Sequence, residues 1–245
     1  MHLVIDTRNG LAGDIMAAGL IGVGANSKKV IEAMEIAGNL MGPTKVTHSV
    51  NDCVHRLNVD IDNLPGHLHA SQARNHLGKA LDKTGITAPW SDIGRNVLEV
   101  LVEAEGHVHS RHPQLSKHFH GHEPVLHEAS DIIIDIMGMA AGMMDLGIKK
   151  VQYLDYVNVG SGNVKFSHGT LEVPTPATRH VLEGHGIPWK RSDMGMEMTT
   201  PTGASILAGC GAVRILAEPG SSVTSLAGGT RQLPPITFML LESNP

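Results

Sequence analysis

The chain has 245 residues, 41% hydrophobic and 18% charged, with a formal net charge of −5. This is ordinary globular composition with enough length for one large domain or two small ones. It excludes the basic stripe of a nucleic-acid footprint and, with only Cys53 and Cys210, a disulfide framework or a thiolate zinc site.

No basic n-region and apolar h-region open the chain, so a secretory signal is not expected. HLVIDT, from His2, predicts a short buried strand, followed by the loop RNGLAG and a helix beginning near Asp14. A second helix is predicted from Ser27, as N-cap, to Ala37. Alternation from Lys45 to Asp62 predicts two strands with their turn at Asn51–Asp52. Helices follow over Ala70 to Lys83 and Ser91 to Val108, then a histidine-bearing loop from Ser110 to Pro124. A helix is predicted from His127 to Leu146; its most apolar part, Ile132 to Met144, is interrupted by Asp135 and glycines, which argues against a membrane span. VQYLDYVNVG reads as a strand, and the Gly/Pro-rich tract after it leads into a short helix. TTPTGASILAG is a loop–helix junction, and the closing ITFMLLE is a strand. Strands and helices mix without a strict βαβ rhythm. The expected fold is α/β or α+β, mixed sheets with packed helices and a His-rich loop. The expected parts are residues 1–112, the loop 113–124 and residues 125–245, in a cytoplasmic protein.

Histidine is over-represented: sixteen against seven Phe, Tyr and Trp together, with seven of the sixteen between His107 and His127. It is the commonest side-chain metal ligand. His107/His109, His118/His120 and His120/His122 form H-x-H pairs, which bind nickel, copper or zinc by proximity, whether as function or as incidental affinity. On the predicted helix, His127, Asp131 and Asp135 fall at i, i+4 and i+8 and share one stripe, half of a site for a first-row divalent metal. The alternative has His127 and Glu128 solvated in the first turn and Asp131 serving the helix dipole. Asp135 lies among isoleucines, and an unpartnered buried carboxylate costs roughly several kcal/mol, so it needs a partner: an arginine, a helix N-terminus or a metal.

Three further signals carry chemistry. Asp6, Gly10, Gly13 and Asp14 mark a strand–loop–helix junction with glycines where the backbone turns tightly. Thr199 to Gly203 offers free N–H groups and three hydroxyls at a helix start, suited to a phosphate or to simple capping. His168, before an extended Pro-rich segment, can bring an imidazole to a pocket mouth. Met194, Met196 and Met198 alternate like one face of a strand rather than a copper site.

In order along the chain, these segments resemble the LarC family of nickel insertion proteins. Asp6, Gly10, Gly13 and Asp14 are similar to that family's opening D-x-x-x-G-x-x-G-D-M, with Ile15 in place of Met. VEAEGHVHS resembles A-E-A-E-x-x-V-H-G, and HFHGHEPVLHEASDIIIDI contains pieces like H-F-H-E and D-S-I-V-D-I, though only Ala129 and Ser130 separate His127–Glu128 from Asp131. VGSGNVKFSHGTLEVPTPAT and EMTTPTGASIL are similar to G-S-G, H-G-T-L-P-V-P-x-P-A-T and E-x-x-T-P-T-G-A-x-I-L.

The resemblance implies a nickel chelatase, a lyase that inserts nickel into pyridinium-3,5-bisthiocarboxylic acid mononucleotide at the expense of CTP with a divalent cation. It implies Asp14 and His168 as catalytic residues and Gly10, Gly13, Thr200, Thr202 and Gly203 around the anionic mononucleotide. His107, His109, His120, His127, Glu128, Asp131 and Asp135 are the implied metal ligands. Members of the family continue into a C-terminal domain associated with CTP, near where this sequence stops. Either a separate C-terminal chain supplies that half or the complete reaction is lost. The rival readings are a nickel or zinc carrier without chelatase activity and a metal-dependent phosphohydrolase. The Gly/Pro and T-P-T-G half argues against a mere buffer. No nucleic-acid or membrane partner is expected, and homo-oligomerisation stays open.

Overall fold

The computed structural model describes residues 1–62, 67–111, 123–127, 131–166, 169–220, 222–230 and 233–242. HLVI forms β1 (His2–Ile5) and the apolar run ITFMLL forms β13 (Ile236–Leu241), its antiparallel neighbour at the centre of a seven-stranded sheet. The sheet also takes β2 (Thr44–Asn51), β3 (Val54–Ile61), β6 (Lys150–Leu154), β11 (Val213–Ile215) and β12 (Val223–Ala227). Their order is β11-β6-β1-β13-β12-β3-β2. Contacts β1–β6, β6–β11 and β12–β3 are parallel and the others antiparallel, so the sheet is mixed as the element order predicts. Strands from both ends of the chain and from its middle lie side by side, so the sheet draws on residues before and after 113–124.

Seven α-helices occur among the described residues: α1 (Gly13–Gly22), α2 (Ser27–Gly38), α3 (Ala70–Thr84), α4 (Trp90–Arg111), α5 (Ile132–Asp145), α6 (Pro176–Gly184) and α7 (Pro201–Gly209). Every residue of α5 from Ile132 to Met143 is buried, because it packs against α1, α2, α3 and α4 at once. One main core cluster joins these helices to the sheet. No helix among the described residues is long and apolar enough to cross a membrane.

Several local expectations are corrected. The chain is not helical at His127: β5 (Val125–His127) pairs antiparallel with β4 (His67–His69), His67 opposite His127, and α5 begins only at Ile132 with Asp131 as N-cap. The i, i+4, i+8 stripe therefore shrinks to Asp131 and Asp135. VQYLDYVNVG breaks at Asp155, whose φ is 52°; β6 joins the large sheet, whereas β7 (Val157–Gly160) pairs with β10 (Trp189–Arg191). Asn26, not Ser27, caps α2, accepting from Lys28 and Lys29 N–H at 3.1 and 3.2 Å. The β2–β3 turn falls on Asp52 and Cys53, both at positive φ. The methionines around Met196 do not form a strand face: Met194 is exposed, while Met198 is buried and its Sδ accepts from Ser192 Oγ.

Candidate active site

Two loops meet backbone to backbone behind the site. Leu11 N–H donates to Met198 O and Thr200 N–H to Leu11 O, both at 3.1 Å, and Met198 N–H donates to Val159 O on β7. Gly10 (φ +88°) and Gly203 make this seam, since a Cβ would lie 2.1 Å from Met198 O at position 10 and 2.0 Å from Leu11 O at position 203. Neither glycine lines the cleft. Their effect is to hold the starts of α1 and α7 side by side.

Those two starts and those of α5 and α6 open on one cleft of about 360 Å³, lined by Gly13 and Asp14, by Asp131, Ile132 and Asp135, by Thr175 and Pro176, and by Thr200, Pro201 and Thr202. Among the described residues, the N-cap residues Ala12, Asp131 and Thr175 make no side-chain cap bond to α1, α5 or α6, whereas at α7 Thr200 Oγ1 accepts from Gly203 N–H at 3.1 Å. Each helix start carries unsatisfied N–H groups and a partial charge of about +0.5, so four together favour an anion. Val164 and Leu171, register partners in the hairpin of β8 (Asn163–Phe166) and β9 (Gly169–Glu172), supply an apolar wall.

The side chains oppose that field. Asp14, Asp131, Asp135, Glu105 and Glu197 line the cleft, and no Lys, Arg or His does among the described residues. Asp135 is 5% exposed, and its Oδ1 has no hydrogen-bond partner among the described residues. Burial, then the charges of Asp131 and Asp14, push its carboxyl well above the usual carboxylate range. Gly13 makes the placement feasible, because the carboxylate occupies the space a Cβ there would need.

The expected histidine ligands divide. On α4, His107 stacks on His180 of α6, centroids 3.9 Å apart at 24°, whereas His109 is 1% exposed with Nε2 3.5 Å from Glu105 Oε2. Two residues apart on a helix, they face different neighbours. His120, Glu128 and His168 lie outside the described residues, as do His118 and His122; His127 is placed by its backbone in β5. Among the described residues no group of three His, Cys, Asp or Glu side chains has the geometry to hold a metal by itself. Glu105, Glu197 and Thr175 were missed as site residues. Glu105 could have been found at i−4 from His109, and Glu197 three residues before Thr200.

The model of the nickel insertion protein family matches residues 3–239. A pyridinium-3,5-bisthiocarboxylic acid mononucleotide nickel insertion protein of Staphylococcus epidermidis is 28% identical over 209 residues, covering 84% of this chain and 50% of the relative. A putative nickel insertion protein of Geobacter sp. (strain M21) is 32% identical over 228 residues, 90% of this chain and 54% of the relative. One of Methanosarcina barkeri is 32% identical over 209 residues, 84% and 50%. The chain thus spans about half the length of these curated relatives, and no solved structure matches it. On the match across nearly its whole length, the chain belongs to the nickel insertion protein family.

Proposed function

We propose that the cleft is the substrate site of a nickel chelatase acting on pyridinium-3,5-bisthiocarboxylic acid mononucleotide, the compound in the name of the Staphylococcus epidermidis relative. One observation carries the reading: four helix starts and a group of carboxylates face the same cleft. The substrate joins an anionic phosphate and two thiocarboxylates to a pyridinium ring. Backbone N–H groups at the α6 and α7 starts, with the Thr202 hydroxyl, suit the phosphate. Asp131, Asp135 and Asp14 suit nickel, which is a substrate here. Carboxylate oxygens hold it loosely enough for two sulfurs to displace them. The thiocarboxylate groups on ring carbons 3 and 5 flank carbon 4, so nickel held by both sulfurs faces that carbon; forming the nickel–carbon bond breaks the C–H bond there, and the proton passes to water or to a cleft carboxylate. Val164 and Leu171 exclude water from one side of the ring.

CTP use, with its divalent cation, is assigned to the part of the relatives beyond the matched region, on whichever polypeptide carries it, and a separate C-terminal chain is the partner proposed for that step. The proposed setting is the cytoplasm. Native mass spectrometry with nickel, the mononucleotide and CTP, with and without a polypeptide carrying the second half of a relative, tests the reading. A complex holding one nickel and one mononucleotide supports it; a chain that holds nickel but never the mononucleotide is a carrier.

A further inference from the structure

Outside the cleft, two imidazole nitrogens meet on the β2–β3 hairpin. His48 on β2, the edge strand, is in register with Leu57, and Val50 with His55 on β3. His48 and His55 are therefore diagonal neighbours on one face of the pair. Their ring centroids lie 5.1 Å apart at an interplanar angle of 26°, with His48 Nε2 3.0 Å from His55 Nδ1. Burial holds both rings below the usual histidine value. At neutral pH they therefore share one proton between these nitrogens rather than repel as two cations.

That separation also fits one metal ion. A first-row divalent cation stands about 2.0–2.1 Å from an imidazole nitrogen, and at angles of about 90–110° it holds two of them about 2.8–3.4 Å apart. Turning each ring about its soft χ2 torsion points both lone pairs at one centre. Both histidines are half-buried, so water reaches the remaining coordination positions. The other edge of the His55 ring has support at hand. A Cβ built on Gly22 would lie 2.0 Å from Ser225 Oγ and 3.2 Å from His55 Cδ2, the carbon next to Nε2. Ser225 is 9% exposed, and its Oγ has no hydrogen-bond partner among the described residues. With Nδ1 on a metal, His55 carries its proton on Nε2 and can donate it to that hydroxyl, the kind of support that ligating histidines ordinarily have.

We propose that His48 Nε2 and His55 Nδ1 form a two-imidazole site for a first-row divalent cation, with Ser225 Oγ orienting the His55 ring. The metal displaces the hydrogen from between the rings, and the ring that supplied it takes it up on its other nitrogen. Two neutral imidazoles thus bind without net loss of a proton, and the ion ties the edge strand β2 to β3. The site goes beyond the chelatase reading and is independent of it, since neither histidine lines the cleft. Metal uptake by this chain then has two sources of different chemistry, carboxylate in the cleft and imidazole on the hairpin.

Zinc, redox-inert and diamagnetic, is the probe. Calorimetric titration of zinc into the full chain without an affinity tag, alongside proton–nitrogen correlation spectra of its imidazoles, tests the site. His48 and His55 should shift together at one zinc concentration, with the metal on Nε2 and Nδ1 respectively. His48→Gln and His55→Gln should each lose one bound zinc per chain, and the double variant should lose no more than either. Unfolding midpoints without metal check that the variants fold. Ser225→Ala keeps both ligands and should weaken this zinc about tenfold. Unshifted rings in wild type, or a zinc count unchanged in both glutamine variants, overturn the proposal. Loss in only one of the two variants overturns the two-ligand site, and an unchanged affinity in Ser225→Ala overturns the orienting role of the serine. None of these results touches the chelatase reading, which fails instead if the chain holds no mononucleotide.

Discussion

Asp135 and Gly13 compete for one space: a Cβ built on Gly13 would lie 2.1 Å from Asp135 Oδ2 and 2.6 Å from its Cβ. Only a residue without a side chain lets the first turn of α1 close over the carboxylate of α5. Gly13→Ala therefore overpacks the seam at a cost of roughly 1–3 kcal/mol, more than the about 1 kcal/mol that Ala gains over Gly inside a helix. Urea unfolding should show a lower midpoint with an unchanged slope, and nickel affinity should fall in the same variant. Unchanged stability and nickel affinity together would mean that Asp135 moves aside freely.

Thr200 and Thr202 separate capping from binding. Thr200 Oγ1 caps α7 through Gly203 N–H, so Thr200→Val should cost about 1 kcal/mol of stability. Thr202 faces the cleft. Thr202→Val should leave stability nearly unchanged and weaken the mononucleotide about tenfold, about 1.4 kcal/mol, without affecting a dephosphorylated analogue. Calorimetry on both ligands decides, since equal losses would assign Thr202 to the helix rather than to the phosphate.

Asp135 gives a dependence of stability on pH with a definite sign. Its native pKa is raised, so its carboxyl is compatible with the fold below about pH 3.9, the unfolded value, and the fold loses stability as pH rises from there through the native value. Metal-free Asp135→Asn should therefore be more stable than wild type at pH 7, with the gap closing towards pH 4. Saturating nickel should narrow the pH 7 gap by supplying the counter-charge. Thermal unfolding at the two pH values, with and without nickel, measures this.

The β2–β3 hairpin titrates in the opposite sense. His48 Nε2 and His55 Nδ1 lie 3.0 Å apart, and burial holds both rings below the usual histidine value, with His48 lowered further by His55. Stability from this pair is present above about pH 6.5, the unfolded value, and is lost as pH falls through the native values. His55→Gln should flatten the decline between pH 7 and pH 5 in urea unfolding. An identical decline in the variant would place its source elsewhere.

Much of the framework is legible locally. Alternation in β2 and β3, the helical periodicity of α3 and α4, and the Thr200–Gly203 capping pattern each act over a few residues. His127 shows where that stops. Its spacing to Asp131 and Asp135 suits a helix, but pairing with His67, far away in sequence, holds it extended. Three-residue strands such as β4 and β5 carry no periodicity to read. Asp135 is conspicuous in the sequence because isoleucines surround a carboxylate. Glu197 and Thr175 become site residues only because the seam between Leu11 and Thr200 brings distant helix starts together.

The cleft is proposed to carry nickel into the mononucleotide. The most direct measurement is mass spectrometry of the mononucleotide after incubation with nickel, CTP, this chain and a polypeptide carrying the second half of a relative. Wild type should convert the mononucleotide to a species heavier by one nickel less the displaced protons, and Asp131→Asn combined with Asp135→Asn should abolish the conversion while the fold persists. Undiminished conversion by that double variant would contradict the claim, as would no conversion by wild type where the full-length Staphylococcus epidermidis relative converts the same mixture.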